Sequence, residues 1–197
     1  MIAGITDKFN VSLLVPYLIK QDVLEGQDYD DSGLGDIYLI GKYKIFDGGK
    51  DGFGFVIIPF VGFETGKEEA LFGADSMVYG LKFSIDKYLT DNLIWAFNLG
   101  YSHQDPVSLG QIEIKNAFLF GISLVYLINE KMAITGEIIG RSDDRFFVEN
   151  EKYPIEGIIS FSRKFNNFQF LIGAGAGIND GYGASSWRAF TGIKSIF

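Results

Sequence analysis

His103 is the one histidine of the chain, and it stands in His103-Gln104-Asp105, with further acids at Asp143 and Asp144. A histidine beside a carboxylate can activate water, and beside a serine it can raise a nucleophile. One His with one acid two positions away is a sparse constellation, and Asp105-Pro106 is equally a turn signal. The protein is therefore expected not to be an enzyme. Asp22, Glu25, Asp28, Asp30 and Asp31 could attract a cation, but their spacing fits no calcium-loop register, so the run is read as a solvated acidic loop. Gly173-Ala174-Gly175-Ala176-Gly177 superficially matches a nucleotide loop, yet no Lys-Ser/Thr closes it and no helix is expected after it. With no Cys and a single His, a thiolate or His-based metal site is excluded, and no cofactor is expected. The formal net charge of −8 leaves no basic excess for phosphates, so a nucleic-acid partner is not expected either.

A second set of charges comprises Asp36, Lys42, Lys44, Lys82, Lys115, Glu137, Arg141, Glu156, Lys164, Arg188 and Lys194. These fall on the polar side of ten segments with period-two patterning, spanning about 8–20, 34–46, 53–64, 75–86, 92–103, 112–128, 131–141, 153–165, 167–178 and 186–197. The other side of each segment is apolar. Met77, Tyr79, Leu81, Phe83 and Ile85 alternate with Gly80, Lys82 and Ser84, and Phe168, Phe170, Ile172, Ala174 and Ala176 alternate with Gln169 and three glycines. A chain with 25 Gly and 16% aromatic residues suits strands far better than helices, where each interior Gly costs about 1 kcal/mol. Residues 1–197 are read as one domain.

Connections alternate between long (21–33, 65–74, 104–111, 142–152, 179–185) and short (47–52, 87–91, 129–130 and around 166). That rhythm, an even strand number and a terminal Phe197 fit an antiparallel up-and-down transmembrane β-barrel, with long extracellular loops and tight periplasmic turns. In a soluble barrel, such as a lipocalin-like binder, the apolar side points inward and the other side carries dense charge. Here the polar side holds Gly54, Gly62, Gly80, Gly100, Gly121, Gly173, Gly175, Gly177 and Gly192, which suits a crowded lumen. Tyr17, Tyr43, Tyr88, Tyr101, Tyr126, Tyr153 and Trp187 lie near segment ends, where interfacial girdles sit. Closure would pair the first strand with the last.

Three stretches carry a family resemblance. Gly4-Ile5-Thr6-Asp7-Lys8-Phe9-Asn10 runs into Val15-Pro16-Tyr17, Gly33-Leu34-Gly35-Asp36-Ile37 leads to Lys42-Tyr43, and Gly181-Tyr182-Gly183-Ala184 leads to Arg188-Ala189-Phe190-Thr191-Gly192. They resemble outer-membrane barrels related to the meta-pathway phenol-degradation transporter family, whose relatives also occur as barrel domains of OmpA-type proteins. The resemblance implies passage of small, hydrophobic or aromatic molecules. It also implies a strand before the Gly4–Asp7 turn, so the expected strand number is ten, or twelve with an upstream hairpin. Phe197 would serve as the signal read by the barrel-assembly machinery, although Ser195 stands where such signals carry an apolar residue.

The expected protein is thus a bacterial outer-membrane barrel in contact with lipid, without a recognisable signal peptide in this chain. Its charged lumen is expected either to select a small permeant or to plug the barrel with paired charges. A plugged envelope barrel displaying acidic loops, and a soluble small-molecule binder, are the two alternatives.

Overall fold

Alternating apolar and polar residues put every second side chain on the same side of a strand, and the computed structural model assembles these strands into one antiparallel sheet. It describes residues 2–19, 21–24, 27–29, 32–66, 73, 76–109, 112–114, 116–143, 153–179 and 186–195. The sheet takes eleven strands in chain order: β1 (Ile2–Gly4), β2 (Phe9–Leu14), β7 (Ile37–Phe46), β8 (Phe53–Phe63), β9 (Val78–Thr90), β10 (Leu93–Gln104), β13 (Ala117–Asn129), β14 (Met132–Asp143), β15 (Ile155–Phe165), β16 (Phe168–Gly177) and β17 (Arg188–Ser195). Three small ladders lie outside it, formed by β3 (Tyr17–Leu18) with β6 (Gly33–Leu34), β4 (Gln21–Leu24) with β5 (Gln27–Tyr29), and β11 (Val107–Leu109) with β12 (Ile112–Ile114). The described residues include no helix.

All short connections lie at one rim, 5–8, 47–52, 91–92, 130–131 and 166–167, and all long ones at the other. Four of the five tight turns are held by a polar side chain. Lys8 and Phe9 amides donate to Thr6 Oγ1, the Gly49 amide donates to Asp47 Oδ1, the Leu93 amide to Thr90 Oγ1, and the Lys131 amide to Asn129 Oδ1. Asn166 adopts the left-handed conformation, with φ 46°, that closes its turn and that Asn tolerates better than most residues. The Lys44 ammonium also bonds Asp47, at 2.9 Å, and with the Gly49 amide it holds the Asp47 carboxyl below the usual carboxylate range. Register irregularities at Lys44/Phe46, Leu93/Ile94 and Leu127/Asn129 all fall at this same rim, where bulges sharpen twist.

The register is staggered. One row of directly paired residues runs Lys44, Val56, Ser84, Asn98, Gly121, Ile139, Glu156, Gly177. It starts near the short-turn rim on β7 and ends at the long-loop rim on β16. Such stagger is what closing or curling a sheet into a barrel requires, and the sheet is strongly curled into a half-barrel.

Several strand limits differ from those read in the sequence. The segment 8–20 breaks at Val15-Pro16, because Pro16 has no N–H to continue the ladder, and Tyr17–Leu18 leaves the main sheet to pair with Gly33–Leu34. The segment 112–128 is split as well, with Ile112–Ile114 pairing back on β11 so that β13 starts at Ala117. Strand β9 extends to Thr90 rather than stopping at Asp86, since Lys87 remains paired with Phe53 and Trp95 and its ammonium lies 4.7 Å from the Phe53 ring. Ile2–Gly4 supplies the strand expected before the Thr6 turn, paired with Asn10–Ser12. No ladder among the described residues joins the first strand to the last; β1 and β17 are the two edges.

Candidate functional site

The two faces of the sheet differ in a way opposite to a water-soluble fold. One paired row reads Phe9, Tyr43, Ile57, Phe83, Leu99, Phe120, Gly140, Ile155 across eight strands. This side is open: Ile122, Ile172 and Ile193 are 42%, 61% and 65% exposed. Buried polar residues outnumber buried apolar ones among the described residues; Asp36, Ser102, Gln104, Ser123, Glu156 and Ser160 are all at most 9% exposed. Exposed aromatics gather towards the two rims, with Tyr43 and Tyr126 near the short turns and Tyr17, Tyr79, Tyr101 and Trp187 near the long loops.

The polar side is the concave one. Tyr38 on β7 and Arg141 on β14 are within electrostatic reach of each other, although four strands separate theirs in the sheet. Only a shared interior brings such positions together. Lys82, Glu137, Glu156, Lys164, Arg188 and Lys194 lie on this same side, paired with interior positions Gly100, Ser123, Gly177, Gln169, Gly175 and Gln169 respectively. Lys42 pairs with Asn10 there, and Lys44 with Val56.

Glycines make room for the larger groups. Tyr38 faces Gly62, Phe60 faces Gly80, Lys82 faces Gly100 and Phe190 faces Gly173 as direct cross-strand pairs. In each pair the side chain folds over the glycine, so that a Cβ at Gly62 would lie 2.5 Å from a Tyr38 ring carbon. The thin glycine strand β16 also allows Arg188 on β17 to reach across it to Glu156 on β15, closing an ion pair of 2.7 Å. Glu156 is buried and Arg188 half-buried. Arg188→Ala is therefore expected to destabilise the fold by about 1–3 kcal/mol by removing the counter-charge of a buried carboxylate. Adding Glu156→Gln should recover part of that loss in a denaturant titration of the double variant.

Asp36 anchors a loop. Its Oδ1 accepts the Thr65 amide at 3.1 Å and the Gly66 amide at 2.9 Å, fixing the chain after β8 to the head of β7. His103 stands on the apolar side with its ring 4.8 Å from that of Tyr79, turned away from interior residues such as Ser102 and Gln104. Asp22 and Asp28 are backbone partners in the β4–β5 ladder, a regular element where the sequence reading placed only a loop. Lys115, Glu25, Asp30, Asp31, Asp144 and Phe197 lie outside the described residues. Among the described residues no group of three His, Asp or Glu side chains assembles that could hold a metal.

Interior residues that the sequence reading passed over include Tyr38, Asn10, Asn98 and Asp86. Strand parity was the available signal: Asn10, Tyr38 and Asn98 each lie between outward apolar residues, and Asp86 follows outward Ile85. Comparison of the chain with protein-family models and with curated proteins gives no match.

Proposed function

We propose that the chain is an outer-membrane β-barrel whose convex apolar side meets lipid and whose polar concave side lines a path for small molecules. The observation that carries this reading is the inversion of sidedness, with exposed Phe, Leu and Ile on one side and small or charged residues at the other. Strands of 10–13 residues are long enough to cross a hydrocarbon layer when tilted. A soluble binder requires the reverse sidedness. Closure of the barrel, through β1 and β17 or through further strands between them, belongs to this proposal. So do placement in the bacterial outer membrane and engagement of the assembly machinery through Phe197. A hydrophobic or aromatic permeant follows from the family resemblance alone.

The alternative is a plugged structural barrel. It is favoured by the Arg188–Glu156 pair and by Phe60 and Val56 filling the interior near the middle of β8. Conductance separates the two. The chain refolded into detergent is expected to migrate faster unheated than boiled on a gel, and to give discrete channel events in a planar bilayer. Heat-shifted protein without channel events would overturn passage and leave the plugged barrel. No heat shift would overturn the barrel itself.

A further inference from the structure

The interior charges are not distributed alike along the barrel. At the long-loop end Arg188 has a partner, an ion pair with Glu156. Towards the short turns Lys44 is paired with Asp47 at 2.9 Å, but three other lysines have no such partner among the described residues. Lys164 on β15 and Lys194 on β17 are both cross-strand partners of Gln169, which lies between them on β16. Lys42 on β7 is paired with Asn10 on β2. Partial desolvation is the largest influence on Lys194, followed by the charges of Lys42 and Lys164, although β7 and β17 belong to opposite halves of the sheet. Lys164 and Lys194 thus flank the Gln169 amide on the concave side, and Lys42, beside Asn10, lies within electrostatic reach of them. All three lysines are exposed to solvent. Among the described residues no carboxylate pairs with any of them. Lys82, deeper along the interior, has the Phe60 ring at 5.1 Å as its partner. Of the acids on this side, Glu156 is taken up by Arg188, while Asp86 and Glu137 stand on β9 and β14, and Asp86 lies against Gly54.

Gathering like charges without counter-charges is costly, and a bound anion removes that cost. Ammonium groups supply point charges, while the amide groups of Asn10 and Gln169 can donate to oxygen. We propose that Lys42, Lys164 and Lys194, with Asn10 and Gln169, form a binding site for small oxyanions, phosphate or carboxylate, just inside the short-turn mouth. The site rests on the barrel reading, because it is enclosed only if the concave side is a lumen. The lysines face inward, so the anion comes from solution rather than from a lipid headgroup.

The test is calorimetric titration of the refolded, heat-shifted barrel with inorganic phosphate at low ionic strength. Saturable binding is expected, weakened about tenfold or more in the triple variant Lys42→Gln/Lys164→Gln/Lys194→Gln, a change of about 1.4 kcal/mol. Lys50→Gln, at an exposed turn where Lys50 pairs with Asp91 at 2.6 Å, should bind as the parent does. If the triple variant loses its heat shift, Lys194→Gln alone carries the test and should weaken binding measurably. A heat-shifted barrel that binds no phosphate, or variants that bind as tightly as the parent, would overturn the site and leave the barrel standing. A parent chain without heat shift would overturn both.

Discussion

Ile122→Lys is expected to cost about 2–4 kcal/mol of folding stability in a bilayer, whereas Ser123→Lys costs far less. The two positions are adjacent on β13 and share backbone pairing, so the difference isolates the side of the sheet. Ile122 is 42% exposed on the convex face, opposite Phe97 and Ile138, and a Lys there would project into hydrocarbon. Ser123 is 7% exposed on the concave face and lies directly opposite Glu137, which supplies a counter-charge to a new ammonium. The measurement is reversible urea unfolding in lipid vesicles, followed through Trp95 and Trp187 fluorescence. Equal costs at the two sites would mean that neither side faces lipid. A larger cost at Ser123 would mean that the barrel is assigned inside out.

Gly62→Ala and Gly80→Ala are each expected to destabilise by about 1–3 kcal/mol, the range for overpacking a filled site. Their rescue should differ. At Gly62 the three nearest atoms that a Cβ would meet all belong to the Tyr38 ring. Tyr38→Ala should therefore remove the penalty, giving a coupling of about 0.5–3 kcal/mol in a double-variant cycle. At Gly80 a Cβ would meet the Phe60 ring and also the backbone carbonyl of Tyr101. Truncating Phe60 relieves only the first, so Gly80→Ala/Phe60→Ala should keep part of the loss. Additive effects at Gly62 would show that Tyr38 does not lie over it.

Much of the architecture is legible in the sequence because period-two alternation is a local property. Phe97, Leu99 and Tyr101 against Asn98, Gly100 and Ser102 suffice to assign the two sides of β10. Tight turns are legible for the same reason, through Thr6, Asp47 and Asn166. The small ladders were not. Val107–Leu109 and Ile112–Ile114 read as the end of one loop and the start of a long strand, because only a reversal near 110–111 tells a separate hairpin from a continuous strand. Pro59 is a comparable trap. It stands inside a central strand, where the β7–β8 ladder skips the Gly41–Lys42 positions and Gly41 takes up the Pro59 ring.

The candidate site was half legible. Its lysines follow from parity, and the sequence reading placed each of them on the polar side. Which of them gather depends on register across strands, which the hydrophobic pattern, turn geometry and rim bulges set jointly. The pairing of Arg188 with Glu156 across a glycine strand and the loop-anchoring of Asp36 are both consequences of register and curl. Neither has a signature within any single segment.

The central claim is that the convex apolar side lies against lipid, and the absence of native cysteine makes one measurement direct. Single cysteines placed in turn at 118–125 along β13 would be labelled with an environment-sensitive fluorophore in the refolded, vesicle-inserted protein. A quencher confined to the acyl chains should quench strongly at 118, 120, 122 and 124 and weakly at 119, 121, 123 and 125, repeating every second residue. Uniform quenching, none at any position, or alternation in the opposite phase would contradict the account.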